Sequence, residues 1–134
     1  MWTNYGNFKR GNSNPYHAKT VGIGYMGNAT SKVNGVKKDS YNTWRGMLER
    51  CYGEKYQKKF PTYIDCSVCD EWKSYENFER WYNLNYYEVE NEKMQLDKDI
   101  LFKGNKIYSP NTCVFVPQRI NKLFTKTDKL RNVS

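Results

Sequence analysis

Apolar residues recur at three- and four-residue steps in two stretches of the chain. Between Asp39 and Tyr52, the side chains of Tyr41, Trp44, Met47, Leu48 and Cys51 fall on one helical face, leaving Arg45, Glu49 and Arg50 outward. Asp39 or Ser40 can cap the start and Gly53 offers a stop. Further on, Trp72, Tyr75, Phe78 and Trp81 repeat every third residue, opposite Lys73, Glu76, Glu79 and Arg80, which predicts a second amphipathic helix. Packed on each other, these aromatic faces supply most of the buried area, at about 25 cal/mol per Å².

Around the two helices the pattern is shorter-ranged. Thr62–Val68 is a candidate strand, Lys55, Lys58 and Lys59 sit in a loop ended by Pro61, and residues 83–93 read as an exposed acidic connection. Gly22, Gly24 and Gly27 formally match GxGxxG. They neither follow a clear strand nor open an amphipathic helix, so a glycine-rich turn or short hairpin is the better reading. From Leu96 to Phe124 the chain reads as strand, long turn, strand and short helix. Lys103-Gly104-Asn105 and Tyr108-Ser109-Pro110-Asn111 supply turn chemistry, and Cys113–Val116 is β-branched and aromatic enough for a buried strand. Pro117 suits the first helical position, followed by Ile120, Leu123 and Phe124 on one face and Arg119, Lys122 and Lys126 on the other. Such a ββα unit is too small to fold alone and must be held by the aromatic helices. The expectation is one α+β domain over residues 21–125, between a basic arm (1–20) and a basic tail (126–134).

With 134 residues there is room for one modest core. A mean hydropathy of -0.96 and the lack of a long apolar run or an apolar leader predict a protein that stays in the cytoplasm where it is made. The two Asn-X-Ser/Thr matches, at Asn28 and Asn132, are then chance. The formal charge is +8, from 22 basic and 14 acidic residues. A mildly acidic middle separates two basic ends, which predicts nucleic acid as a partner, with solvated tails as the plainer alternative. His17 is the only histidine and has no nucleophile to serve. Cys66 and Cys69 have the spacing of a zinc knuckle, and Cys51 and Cys113 are the remaining thiols for a structural zinc site. Buried cysteines acting as small apolar side chains explain the four equally well.

The ordered series Trp44, Met47, Arg50-Cys51-Tyr52, Val68-Cys69-Asp70-Glu71-Trp72, Phe78, Trp81, Leu96-Asp97-Lys98, Tyr108-Ser109-Pro110, Cys113 and Asn121 resembles phage-encoded relatives of the HNH (His-Me finger) endonucleases. The resemblance implies a ββα centre holding one metal ion, Mg²⁺, with Asp97 at the end of the first strand and Asn121 on the helix as ligands. It implies that Lys98 stands where the family has its water-activating His. Thr112, with Asn111 one residue out of register, takes the place of the Asn that orients that base. A lysine ordinarily has a pKa near 10.4; to act as a base at neutral pH it would have to fall by about three, and Asp97 and Asp99 beside it push the other way.

The expectation is therefore docking on nucleic acid, duplex DNA, without cutting, with Lys98, Lys103, Lys106, Arg119, Lys122 and Lys126 supplying charge. Two alternatives stay open: a working Mg²⁺-dependent nuclease, and a small phage inhibitor that binds a host defence protein acting on nucleic acid. Asp97, Asn111, Thr112 and Asn121 also suit plain turn and cap roles. Longer relatives of this kind continue into an AP2-type DNA-binding module; here the sequence stops near that point, so contacts are expected from the surfaces already named.

Overall fold

The computed structural model describes residue 14 and residues 16–120. The fold is α+β: β1 (Lys32–Val33), β2 (Val36–Lys37), α1 (Asp39–Tyr52), α2 (Glu54–Lys59), β3 (Ser67–Val68), α3 (Tyr75–Asn85), β4 (Met94–Asp97), β5 (Ile107–Tyr108) and β6 (Val114–Pro117), with 3-10 turns at Pro61–Tyr63 and Asp70–Lys73.

Helix α1 spans the predicted residues and buries the predicted face, Tyr41, Trp44, Met47, Leu48 and Cys51. Its start differs from expectation. Neither Asp39 nor Ser40 caps it: Asp39 sits in the first turn, paired with Lys93 at 2.6 Å, and Ser40 is buried, 2.7 Å from the Tyr75 hydroxyl. Nor does the chain loop out after Gly53, because residues 54–59 form α2, whose lysines all face solvent. The second aromatic stripe is split between two elements. Trp72 rides on the 3-10 turn, and Ser74 then caps α3 by accepting a hydrogen bond from the Asn77 N–H at 3.3 Å.

These elements make one aromatic core. Trp44 Nε1 donates to the Trp72 carbonyl at 2.7 Å, and Trp72 meets Phe78 and Trp81 at ring distances of 4.9 and 4.7 Å. Trp81, Tyr82 and Tyr86 in turn surround Phe115 of β6 at 5.1 to 5.2 Å. That contact fixes the β4–β6 pair on the helices. The pair is antiparallel, with Leu96 opposite Phe115 and Asp97 opposite Val114. The predicted strand–turn–strand order is present, although the first strand begins at Met94 and ends at Asp97, leaving Leu101 and Phe102 exposed in the following loop. Residues 118–120 are helical. The rest of the expected helix, with Asn121, Lys122, Leu123, Phe124 and Lys126, lies outside the described residues, as do the tail and most of the N-terminal arm.

The expected strand over 62–68 shrinks to β3, which pairs in parallel with β5, so Tyr108 belongs to a strand rather than a turn. The glycine-rich segment forms the predicted tight turn: Thr20 and Gly24 exchange backbone hydrogen bonds at 3.0 and 2.9 Å, with Gly22 at a φ of 74° between them. Gly24 lies against α1, where an added Cβ would meet Leu48 at 2.5 Å and Trp44 at 2.7 Å, so only glycine lets this backbone reach the core. A further hairpin, not predicted from the sequence, follows as β1 and β2 around Asn34 and Gly35, whose φ values of 52° and 81° suit a tight two-residue turn.

Candidate functional site

Strand β4 ends at Asp97 because the carboxylate turns the chain. Asp97 Oδ2 accepts hydrogen bonds from the N–H groups of Asp99 at 2.9 Å and Ile100 at 2.6 Å, so the backbone closes on the side chain instead of extending the sheet. Lys98 is thereby directed inward. It is only 7% exposed, its Nζ donates to Asp99 Oδ1 at 2.9 Å, and it lies 5.7 Å from the centre of the Tyr108 ring. Burial on its own lowers the pKa of this amine. The bonded Asp99 carboxylate outweighs burial and holds it above the ordinary lysine value. At neutral pH Lys98 is an ammonium group with no lone pair to take a proton from water.

The loop after Lys98 is held by Asn105. Its Nδ2 donates to the Lys98 carbonyl at 3.0 Å and to the Ile107 carbonyl at 2.6 Å. Thr112 serves the next turn instead: its hydroxyl donates to the Ile107 carbonyl at 2.9 Å and lies 2.9 Å from the Ser109 hydroxyl. Asn111 is exposed on that turn. Asn105 thus bonds the backbone of Lys98 and not its amine, while Thr112 and Asn111, which the HNH-like resemblance sets in the base-orienting place, lie on the following turn. No hydropathy signal separates these residues, since each sits in a polar turn and only the tertiary path decides which one faces back.

A cleft of about 260 Å³ opens beside Lys98, lined by Arg50, Tyr56, Tyr63, Asp97, Lys98 and Tyr108 among others. Arg50, which the helical period places outward, is half-buried here at the C-terminal end of α1. Burial opposes its charge. Its pKa nevertheless lies above the usual value, because Tyr108 and Tyr63 would carry negative charge beside it once ionised in alkali and Tyr56 shares a side-chain hydrogen bond with it. Among the described residues no carboxylate forms an ion pair with it. The Asp99 carboxylate is engaged with Lys98, and an Asp97 oxygen with two backbone N–H groups. A guanidinium taken out of water costs several kcal/mol unless an anion compensates, and its planar fork matches the oxygens of a phosphate or carboxylate.

The metal expectations fare unevenly. Mg²⁺ takes near-octahedral oxygen ligands at about 2.0–2.1 Å. Asp97 is in place, but with one oxygen already accepting two hydrogen bonds. Asn121 lies outside the described residues, and the buried Lys98 ammonium would repel a divalent cation. The described side chains do not on their own fit a magnesium site. Cys51, Cys66 and Cys113 are buried and Cys69 half-buried. Burial pushes the Cys51 thiol up to about 12 and the Cys113 thiol to about 11. Among the described residues, no three His, Cys, Asp or Glu side chains converge to hold a metal ion.

Of the expected surface cations, Lys103 and Lys106 are exposed on the loop between β4 and β5, with Lys106 Nζ 3.5 Å from the Thr62 carbonyl. Arg119 pairs with Glu92 at 3.2 Å. Lys98 is buried and reaches outside only through the cleft. No helix among the described residues is long and apolar enough to cross a membrane. Comparison with protein-family models, curated proteins and solved structures finds no match to this chain. The functional reading therefore rests on the chemistry of the site.

Proposed function

We propose that the protein binds duplex DNA, seating a backbone phosphate in the cleft between Arg50 and Lys98, and does not cut it. The observation that carries the reading is Arg50: a guanidinium held charged and half-buried with no carboxylate partner among the described residues, at the mouth of a cleft beside a second buried cation. A phosphate supplies the missing anion, and Tyr56, Tyr63 and Tyr108 supply hydroxyl groups around it. Docking without cleavage follows from Lys98, whose amine is held protonated at the place where the HNH-like pattern needs a proton acceptor. The net charge of +8 favours a polyanion as partner.

The test is incubation of the purified protein with labelled linear and supercoiled DNA, in Mg²⁺ and in EDTA, over a salt series. The expected result is retarded, uncut DNA, with log affinity falling linearly against log salt. Mg²⁺-dependent nicking that disappears in Asp97→Ala would replace this reading with the nuclease one. No retardation at low salt would end it.

A further inference from the structure

The β1–β2 hairpin buries none of its strand residues. It projects from the start of α1 with both faces in solvent; Val33 is 56% and Val36 70% exposed. Isolated two-stranded ribbons are at best marginally stable in water. This one is fixed at its base: the Lys38 N–H donates to the Ser31 carbonyl at 2.8 Å, and Lys38 Nζ pairs with Glu79 of α3 at 2.8 Å. Its register sets Val33 opposite Val36 and Lys32 opposite Lys37, so one face of the ribbon is apolar and the other cationic.

The charges on the ribbon itself are positive, Lys32 and Lys37, while the acids at its base are paired, Glu79 with Lys38 and Asp39 with Lys93. Between residues 16 and 38 the sequence has no Asp or Glu. At the base of the hairpin lies a second cleft, of about 470 Å³, lined by Ser31, Tyr41, Arg45, Lys19 and His17 among others, with no carboxylate among its described lining residues. Arg45 makes only a long, exposed pair with Glu49 at 3.6 Å. Edge-to-edge pairing with the ribbon of a second copy is disfavoured, because it brings the lysines of the two copies together.

We infer that the hairpin enters the major groove of duplex DNA, with Val33 and Val36 against base edges, Lys32 and Lys37 on the phosphates of the groove walls, and the cleft at its base receiving the adjoining backbone. The major groove, about 12 Å wide, admits a two-stranded ribbon, and thymine methyl groups there offer apolar contacts. Lysine stems are long and flexible enough to bend from the outer face to the walls. Helix α1 links this surface to the Arg50–Lys98 cleft. Asp39 and Arg50 stand about 17 Å apart along a helix rising about 1.5 Å per residue, near half of a B-DNA turn of about 34–36 Å.

This inference rests on the DNA-binding reading above, and one experiment separates their failures. Wild type, Val33→Ser/Val36→Ser and Lys32→Ala/Lys37→Ala are compared by anisotropy on a duplex over a salt series and by dimethyl sulfate protection of guanine N7, which lies in the major groove. All four side chains are exposed, and the only polar or ring contact they lose among the described residues is that of Lys37 Nζ over the Tyr41 ring at 5.6 Å, so the variants should melt close to the wild-type temperature. The serine pair is expected to bind about three- to tenfold more weakly and to lose N7 protection. The alanine pair should flatten the salt slope by roughly two. Wild type that binds without N7 protection, with variants equal to it, overturns the hairpin's role and leaves DNA binding standing. Wild type that does not bind overturns both. A sedimenting dimer that the serine pair turns into a monomer makes a second copy the occupant and also overturns the proposal.

Discussion

The aromatic core around α1 and α3 and the polar corner between β4 and β6 are built on opposite terms. In the core, Trp44, Trp72, Tyr75 and Phe78 are fully buried, and few polar groups accompany them. The one buried side-chain atom without a hydrogen-bond partner among the described residues is Trp72 Nε1. At the corner, the carboxylates of Asp97 and Asp99, an ammonium and a guanidinium share one small cleft, and the loop around them is held by Asp97, Asn105 and Thr112 rather than by apolar contact. Burial of rings is non-directional and stabilises; buried charge is costly and directional. The first region makes the fold stable, and the second offsets part of that stability by gathering charged groups in a small cleft.

That comparison breaks first under truncation of the core. Trp44→Ala or Phe78→Ala should lose about 3–5 kcal/mol, visible as a large drop in melting temperature or as failure to fold. Next is Arg50→Met, which should weaken DNA binding by about tenfold or more, since a charge-assisted bond to phosphate is worth roughly 1.5–3 kcal/mol. Stability should hold roughly constant, because the half-buried guanidinium makes no ion pair among the described residues and its loss removes only the hydrogen bond with Tyr56. A parallel fall of melting temperature and affinity in this variant would place Arg50 with the structural residues.

Asn105→Ala should cost about 1–3 kcal/mol by stranding the Lys98 and Ile107 carbonyls. Faster hydrogen exchange should appear over residues 98–107 and leave α1 and α3 unchanged; a uniform increase would mean the corner and core unfold together.

The last effect is silent at neutral pH and appears only in alkali. Cys51 and Cys113 are raised in the folded state, to about 12 and about 11, from an ordinary 9.0. Above about pH 9 the unfolded chain releases thiol protons that the folded one keeps, so stability falls with rising pH, by up to roughly 1.4 kcal/mol per pH unit for each such thiol. Lys98 acts in the same direction. Its raised folded pKa gives a contribution present at neutral pH and lost as pH climbs through that value. Denaturant titrations from pH 7 to 11 should show the decline, and Cys51→Ala should make it shallower.

The sequence determined the two aromatic helices, because their spacing leaves no other way to hide so many rings, and it determined the strand–turn–strand order that ends at β6. It also named Asp97 and Lys98. What it could not decide was which polar residues face them. The period of α1 places Arg50 outward, but α2 and β5 are folded over that end of the helix and turn an outward position into the wall of a cleft. Asn105 and Asn111 have the same side chain in similar turns, and only the path of the backbone between β4 and β5 brings one of them to Lys98. The glycines near residue 24 and the hairpin at 32–37 show the same limit. Apolar periodicity records what is removed from water locally, whereas close approach, projection into solvent and the meeting of charges depend on segments distant in sequence, and those are fixed only when the chain is packed.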